Sequence, residues 1–254
     1  SKALEKYEDA LRIRQKLVAN VGVGAAGGSE NESKIVSLYM DIGDCLGGGE
    51  GGLQRYGDAL QNYELALDMH AFLVKRELVF DNDNTTDDDD DDDAAVKEGN
   101  PLATTSEIVL NNITTTEPTA EVGTSVEGVL RHNIGTMHAQ MGAYEKGLQE
   151  YHIALLIKKD LVGEDHPEVA ITLNAIGALM ASDGEESHKA LAYFREALRI
   201  YRLHSLSTTN DGNVWSLGSG DEADEHVAKT IKNIQLVERK LSMGNSMGNA
   251  FGRQ

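Results

Sequence analysis

The sequence predicts an all-α fold built from repeated pairs of helices. One template recurs four times: a small residue followed by Leu, an aromatic residue, and a second small residue seven positions after the first. Spacings of three, four and seven place such residues on one face of a helix. The aromatic residues of the four copies are Tyr7, Tyr63, Tyr151 and Phe194. A second template, an Ile-Gly pair, precedes three of the four copies, which indicates a unit of helix A, turn and helix B.

In chain order, these templates predict eight helices. A B helix opens the chain with Ala3 and Ala10, three A–B pairs follow, and a last A helix runs from about Asp224 to Leu241. The A helices of the three pairs are marked by Ile42-Gly43, Ile134-Gly135 and Ile176-Gly177, whereas the last one has Ile234-Gln235. This order gives three full repeats flanked by half-repeats.

Distances between equivalent alanines show where the repeats are interrupted. Ala154 and Ala197 are 43 residues apart, and the wider spacings elsewhere coincide with the Gly-rich segments 22–28 and 47–52 and with an acidic insert. Repeat proteins tolerate such insertions because each unit contacts only its neighbours. We therefore expect an N-terminal half-repeat and one full repeat at 1–80, a disordered acidic insert at 81–121, two repeats at 122–204, a loop at 205–221, a terminal helix at 222–242 and a flexible tail at 243–254.

Charge and composition exclude several classes of protein. The 254 residues carry 42 Asp and Glu against 23 Lys and Arg, a net charge of −19. Much of this charge lies in the insert, where seven consecutive Asp begin at Asp87. Such acidity does not suit nucleic acid or an anionic membrane, and no apolar run is long enough to span a bilayer. The single Cys45 excludes a disulfide framework and suits a reducing compartment, so we expect a cytoplasmic protein.

The segment Leu161–Gly177, which reads LVGEDHPEVAITLNAIG, resembles the inter-repeat signature of the kinesin light chain family, with Ala175 where that family has Asn. The resemblance covers residues 125–202 well and 2–18, 35–74 and 226–240 loosely. It implies a right-handed superhelix of tetratricopeptide repeats whose A helices line a concave groove. It also implies cargo or adaptor recognition through extended, partly acidic peptides. The family's motor-binding heptads are absent here, so kinesin heavy chain is an expected partner only if heptads lie outside these residues.

Polar residues of the A helices are the candidate peptide-binding side chains. Asn can donate to and accept from a peptide backbone, while Lys and Arg bind carboxylates. Simple solvation is the alternative for all of them, and a favourable interaction with the helix dipole is a further one for the last two. Counted outward from the Ile-Gly pairs, the candidates are His132, Asn133, Thr136 and Gln140 in one repeat, Asn174 and Ser182 in the next, where Ala178 lies on the same wall, and Lys229, Lys232, Asn233, Arg239 and Lys240 in the terminal helix.

No other motif predicts chemistry. Residues 22–27 match G-x-G-x-x-G, but a helix precedes them where a dinucleotide fingerprint needs a strand. The Asp run lacks the Gly and Glu of a calcium loop, and the eight His form no catalytic or zinc motif. We therefore expect no catalysis, metal or cofactor, and a scaffold that binds protein or peptide ligands. The alternatives are the regulatory domain of a larger enzyme or signalling protein, and an acid-rich cation-binding protein.

Overall fold

The computed structural model describes residues 2–21, 28–48, 53–83, 123–183, 186–207 and 220–251, and all regular structure in these ranges is α-helical. From residue 84 onward, the predicted acidic insert lies outside the described residues. The eight helices in the described ranges are α1 (Lys2–Val21), α2 (Gly28–Gly47), α3 (Tyr56–Asp83), α4 (Ser125–Gln140), α5 (Tyr144–Val162), α6 (Pro167–Asp183), α7 (Ser187–Ser207) and α8 (Gly220–Phe251).

The last two helices are longer than the sequence predicts. Helix α7 continues to Ser207 and α8 begins at Gly220, so both enter the segment 205–221 expected to be a loop. Helix α8 also continues past residue 242 to Phe251, through most of the expected tail. The glycines of that segment favour a break, but each costs a helix only about 1 kcal/mol.

The helices pack in the order in which they follow one another along the chain. Helices α2 and α3, α4 and α5, and α6 and α7 form the three A–B pairs, while α1 packs on α2 and α8 on α7. Contacts of α3 with α4 and of α5 with α6 join consecutive pairs. This arrangement confirms the predicted all-α solenoid of helical repeats.

Within each pair, the two sequence templates meet. The ring of Tyr63 lies over Gly43, that of Tyr151 over Gly135 and that of Phe194 over Gly177. A Cβ added to these glycines would lie 2.6, 2.8 and 3.0 Å from the nearest ring atom, respectively. The Gly of the A helix is therefore required for the close approach of the aromatic residue on the B helix.

The described core consists of two apolar clusters. One joins α1, α2 and α3 to Leu130, Ile134 and Met137 of α4, and the other joins α5, α6, α7 and α8. Helix α4 thus shares its core with the helices that precede residues 84–122. The first cluster therefore contains residues from both sides of the domain boundary that the sequence predicts at residue 122.

Helices α4, α6 and α8 lie closer to one another than the B helices do. Helix α4 contacts α6, and α6 contacts α8, whereas consecutive B helices make no comparable contacts in the described ranges. A stack of helix pairs that approach more closely on one side curves toward that side. The face formed by α4, α6 and α8, which we call the A wall, is therefore the inner side of the curve.

A matched pair of glycine substitutions tests the packing of ring on glycine. We expect Gly43→Ala to lower the free energy of unfolding by about 1–3 kcal/mol, because the buried ring of Tyr63 leaves no room for a Cβ. Gly57→Ala on α3 is the control, since no atom lies within 4 Å of its added Cβ. There the helix propensity of Ala should stabilise the protein by up to about 1 kcal/mol. Urea unfolding followed by circular dichroism measures both, and equal effects would contradict the packing.

Candidate functional site

The Ile of each template marks equivalent positions on the A wall: Ile134 in α4, Ile176 in α6 and Ile234 in α8. His132 and Asn174 then occupy the same position, two residues before the Ile. Thr172 and Thr230 are also equivalent, four residues before it. These four residues recur in the contacts between repeats.

A repeated polar contact joins α4 to α6 and α6 to α8. The Thr172 hydroxyl lies 3.3 Å from Nδ1 of His132, and the Thr230 hydroxyl lies 3.3 Å from the side-chain oxygen of Asn174. Both threonines are completely buried. Each also lies within hydrogen-bonding distance of the carbonyl four residues before it, at 3.2 Å for Thr172 and 2.8 Å for Thr230. We call His132, Thr172, Asn174 and Thr230 the inter-repeat ladder.

His132 is held inside the junction of α4, α5 and α6. Its ring centroid lies 5.2 Å from that of Tyr151, and the imidazole is only partly exposed. Burial lowers the pKa of His132 to about 4; the Lys158 charge adds to this effect and the Glu168 charge opposes it. The ring is therefore neutral at pH 7, and its role is structural rather than that of a charged peptide ligand.

An ion pair with one buried member lies beside His132. Nζ of Lys158 on α5 donates to Oε2 of Glu168 on α6 across 2.8 Å, and the lysine side chain is only 7% exposed. Burial raises the pKa of Glu168, but the hydrogen bond and charge of Lys158 outweigh it, so the net pKa is lowered. The pair is charged at neutral pH and links the two central repeats.

Thr136 also has partners inside the protein. Its hydroxyl donates to the His132 carbonyl at 3.0 Å and lies 3.0 Å from the hydroxyl of Tyr151. Like His132 and Asn174, it is occupied by an internal contact. These three expected ligand-binding residues are thus brought together with the ladder and the aromatic residue of the B helix.

The remaining candidates lie on or near the surface of the A wall. Asn133 and Asn233 are half-buried. The Ser182 hydroxyl donates to the Ala178 carbonyl, and Nζ of Lys240 donates to the Ala181 carbonyl at 3.3 Å, near the end of α6. The exposed candidates are Gln140, Ala178, Ser182, Lys229, Lys232, Arg239 and Lys240.

The sequence did not single out Thr172, Thr230 or Lys158. A signal for the threonines was present, since both stand four residues before the Ile of their template. Lys158 carried no such signal, because lysine on an amphipathic helix is ordinarily exposed. Its burial follows from the packing of α6 over α5, which a single helix pattern does not contain.

The pKa of His132 makes stability depend on pH. An unfolded His binds a proton near pH 6.5, whereas folded His132 binds it only near pH 4. The unfolded state therefore binds more protons over this interval. The contribution of His132 to the free energy of unfolding is fully present above pH 6.5 and falls by about 3 kcal/mol as the pH drops toward 4.

We expect His132→Asn to remove this part of the pH dependence. Asn occupies the equivalent position in α6, where it contacts Thr230, so the ladder contact is retained. Urea unfolding at several pH values between 6.5 and 4 measures the slope. An unchanged slope in His132→Asn would show that other groups, such as His152, whose pKa burial also lowers, carry the dependence.

The fold and the wall define a helical-repeat scaffold, and the comparison with protein families agrees. Residues 127–202 match the sequence model of the tetratricopeptide repeat family. This match shows tetratricopeptide repeats in that part of the chain, which indicates, at the general level, a scaffold for protein–protein interaction. Proteins with such repeats are generally non-enzymatic scaffolds.

Two further comparisons add no functional assignment. None of the curated proteins compared with the chain matches it. Among solved structures, the chain is similar to the crystal structure of BtubC (BKLC) from P. vanneervenii, with 14% identity and a TM-score of 0.41 over 100% of this chain and 92% of that one. A likeness of this degree carries no conclusion about the present chain.

The described ranges contain neither a membrane-spanning helix nor a cluster of metal ligands. No helix in them is both long and apolar enough to cross a bilayer. Nor do the His, Cys, Asp and Glu side chains of these ranges form a group of three or more that could hold a metal ion.

Proposed function

We propose that the A wall binds extended peptide segments of partner proteins in the cytoplasm, and that the protein acts as a cargo adaptor similar to kinesin light chains. The observation that carries the proposal is a set of exposed side chains on the inner side of consecutive A helices. In α4 and α6 these are Gln140, Ala178 and Ser182. Half-buried Asn133 adds an amide that can hydrogen-bond to a peptide backbone.

Charge supports a partly acidic ligand. Lys229, Lys232 and Arg239 are exposed on α8, and none of their side chains has an ion-pair or hydrogen-bond partner among the described residues. Carboxylates of a peptide lying along the wall would pair with them at modest energy, since exposed pairs contribute at most about 1 kcal/mol each. The resemblance of Leu161–Gly177 to kinesin light chains is the further support for the adaptor role.

Selection from a display library of random short peptides, with the full chain as bait, tests the proposal. We expect selected peptides to bind in a fluorescence anisotropy assay. Ala178→Arg, which fills an exposed position in the middle of the wall, should weaken them by about tenfold or more. Ala192→Arg, at an exposed position on α7, is the control and should leave affinity unchanged. Failure to select a peptide, or equal loss in both variants, would contradict groove binding.

A further inference from the structure

One edge of the A wall ends on α8, in a surface that no described residue covers. Five of its residues follow one another at spacings of three and four, which places them on one face of the helix. Leu236 and Met243 are each 55% exposed, and the cationic members are exposed as well. We call this surface the α8 stripe; it consists of Lys229, Lys232, Leu236, Arg239 and Met243.

The α8 stripe continues an interface that the protein already uses twice. His132 of α4 faces Thr172 of α6, and Asn174 of α6 faces Thr230 of α8. Lys232 occupies the position of His132 and Asn174 in α8, two residues before the Ile of the template. The edge by which α4 and α6 each meet the next A helix is therefore exposed on α8, as far as the described residues show.

The face of α8 that would receive a B helix is different. In the three A–B pairs, a glycine directly after the Ile admits an aromatic ring, and a Cβ there would lie within 3.0 Å of it. Helix α8 has Gln235 at this position, and its side chain is exposed. A ring cannot approach α8 in the same way, so the uncovered edge at the stripe is the one suited to docking.

We infer that the α8 stripe docks an amphipathic, acidic α-helix of a partner protein. At this edge the side chains of consecutive A helices already meet, through the ladder contacts between α4 and α6 and between α6 and α8. Apolar residues of the partner at spacings of three and four would cover Leu236 and Met243, and flanking carboxylates would pair with Lys229, Lys232 and Arg239.

The charge of the chain favours a protein helix over a membrane as the occupant. A cationic stripe with exposed apolar residues also suits an anionic bilayer. The chain as a whole carries −19, however, and repulsion from an anionic surface would oppose that attachment. The inference goes beyond the proposed function, although both use the three cations of α8. It assigns these cations to a helical ligand on the stripe, which would compete there with the carboxylates of an extended ligand on the wall.

Two synthetic peptides of one composition test the inference on the full chain. The probe helix places Leu at alternating spacings of three and four and Glu on both sides of it, and the scrambled peptide has the same residues without that pattern. We expect fluorescence anisotropy to show binding of the probe, at least about tenfold weaker binding of the scrambled peptide, and a fall in affinity with salt. No binding of the probe, or equal binding of both peptides, would overturn the inference.

Substitutions locate the binding. Leu236→Asp should weaken the probe by about tenfold or more, and Lys232→Glu should weaken it less and be rescued by a probe with Lys in place of Glu. Both side chains are exposed, so the fold should persist, which thermal melting checks. The matched control is Leu203→Asp, since Leu203 is 45% exposed on α7 near Arg199 and Arg202. An effect of Leu203→Asp as large as that of Leu236→Asp would overturn the assignment.

The same variants separate this inference from groove binding. Ala178→Arg should weaken the display-selected peptide and leave the probe helix bound. If Leu236→Asp has no effect on the probe while Ala178→Arg still abolishes binding of the selected peptide, helix docking is wrong and groove binding stands. The opposite pattern would leave the α8 stripe as a docking site and remove the proposed groove. The anisotropy assay contains no lipid, so membrane attachment of the full chain is measured separately, by flotation with anionic vesicles.

Discussion

Replacing Ala197 with arginine should lower the free energy of unfolding by several kcal/mol. Ala197 is completely buried on α7, in the cluster that joins α5, α6, α7 and α8. The longer side chain must overpack this cluster and carry a charge into it, and each effect costs about 1–3 kcal/mol or more. Thermal and urea unfolding of the variant measure the loss, which should concentrate in the repeats next to α7.

Ala192→Arg is the matched control for this substitution. Ala192 lies on the same helix but is exposed, so the same change of residue should alter stability by less than about 0.5 kcal/mol. If Ala197→Arg melts at the temperature of the parent, then the face of α7 assigned to the core is wrong.

Removal of the carboxylate of Glu168 should have the second largest effect. Glu168→Ala leaves the ammonium of Lys158, which is only 7% exposed, without its partner. Loss of one member of a fully buried pair costs about 3–5 kcal/mol. Because the Glu168 side chain is 42% exposed and water screens it, we expect about 1–3 kcal/mol, measured by urea unfolding at pH 7.

Lys158→Met provides the comparison. Methionine fills a similar volume without a charge, and the Glu168 carboxylate that it leaves unpaired is 42% exposed and stays hydrated, so we expect a loss of at most about 1 kcal/mol. Glu168→Ala should then cost much less in the Lys158→Met background than in the parent. Equal costs in the two backgrounds would show that the effect of Glu168 does not pass through Lys158.

Helices and their pairing could be predicted from the sequence because both templates report local geometry. The aromatic residue and the glycine mark the faces of two helices that are neighbours along the chain, and Tyr151 does lie over Gly135. Helix ends were harder to predict: α8 continues to Phe251 because glycine weakens a helix without stopping it.

The candidate site was harder to predict because it depends on contacts between repeats. His132, Asn174 and Thr136 are polar and lie on A helices, as expected, but internal partners occupy their side chains. Whether a polar side chain faces a ligand or the next repeat is decided by the angle between repeats. That angle is a property of the stack, which no single helical segment encodes. Exposed Ala178 and half-buried Asn133 remain proposed ligand contacts.

The cluster that α4 shares with α1, α2 and α3 joins the parts of the chain on either side of residues 84–122, so those two parts should associate even as separate fragments. Met137 of α4 packs against Gly47 of α2, and Leu130 is completely buried in the same cluster. None of these contacts needs the peptide bonds of residues 84–122. If that connection is cut, each fragment exposes an apolar surface that the other fragment covers. The fragments must then associate to complete the cluster, so folding becomes bimolecular and depends on their concentration. In the intact chain, the connection keeps the two halves together and so sets the effective concentration at which each half meets the other.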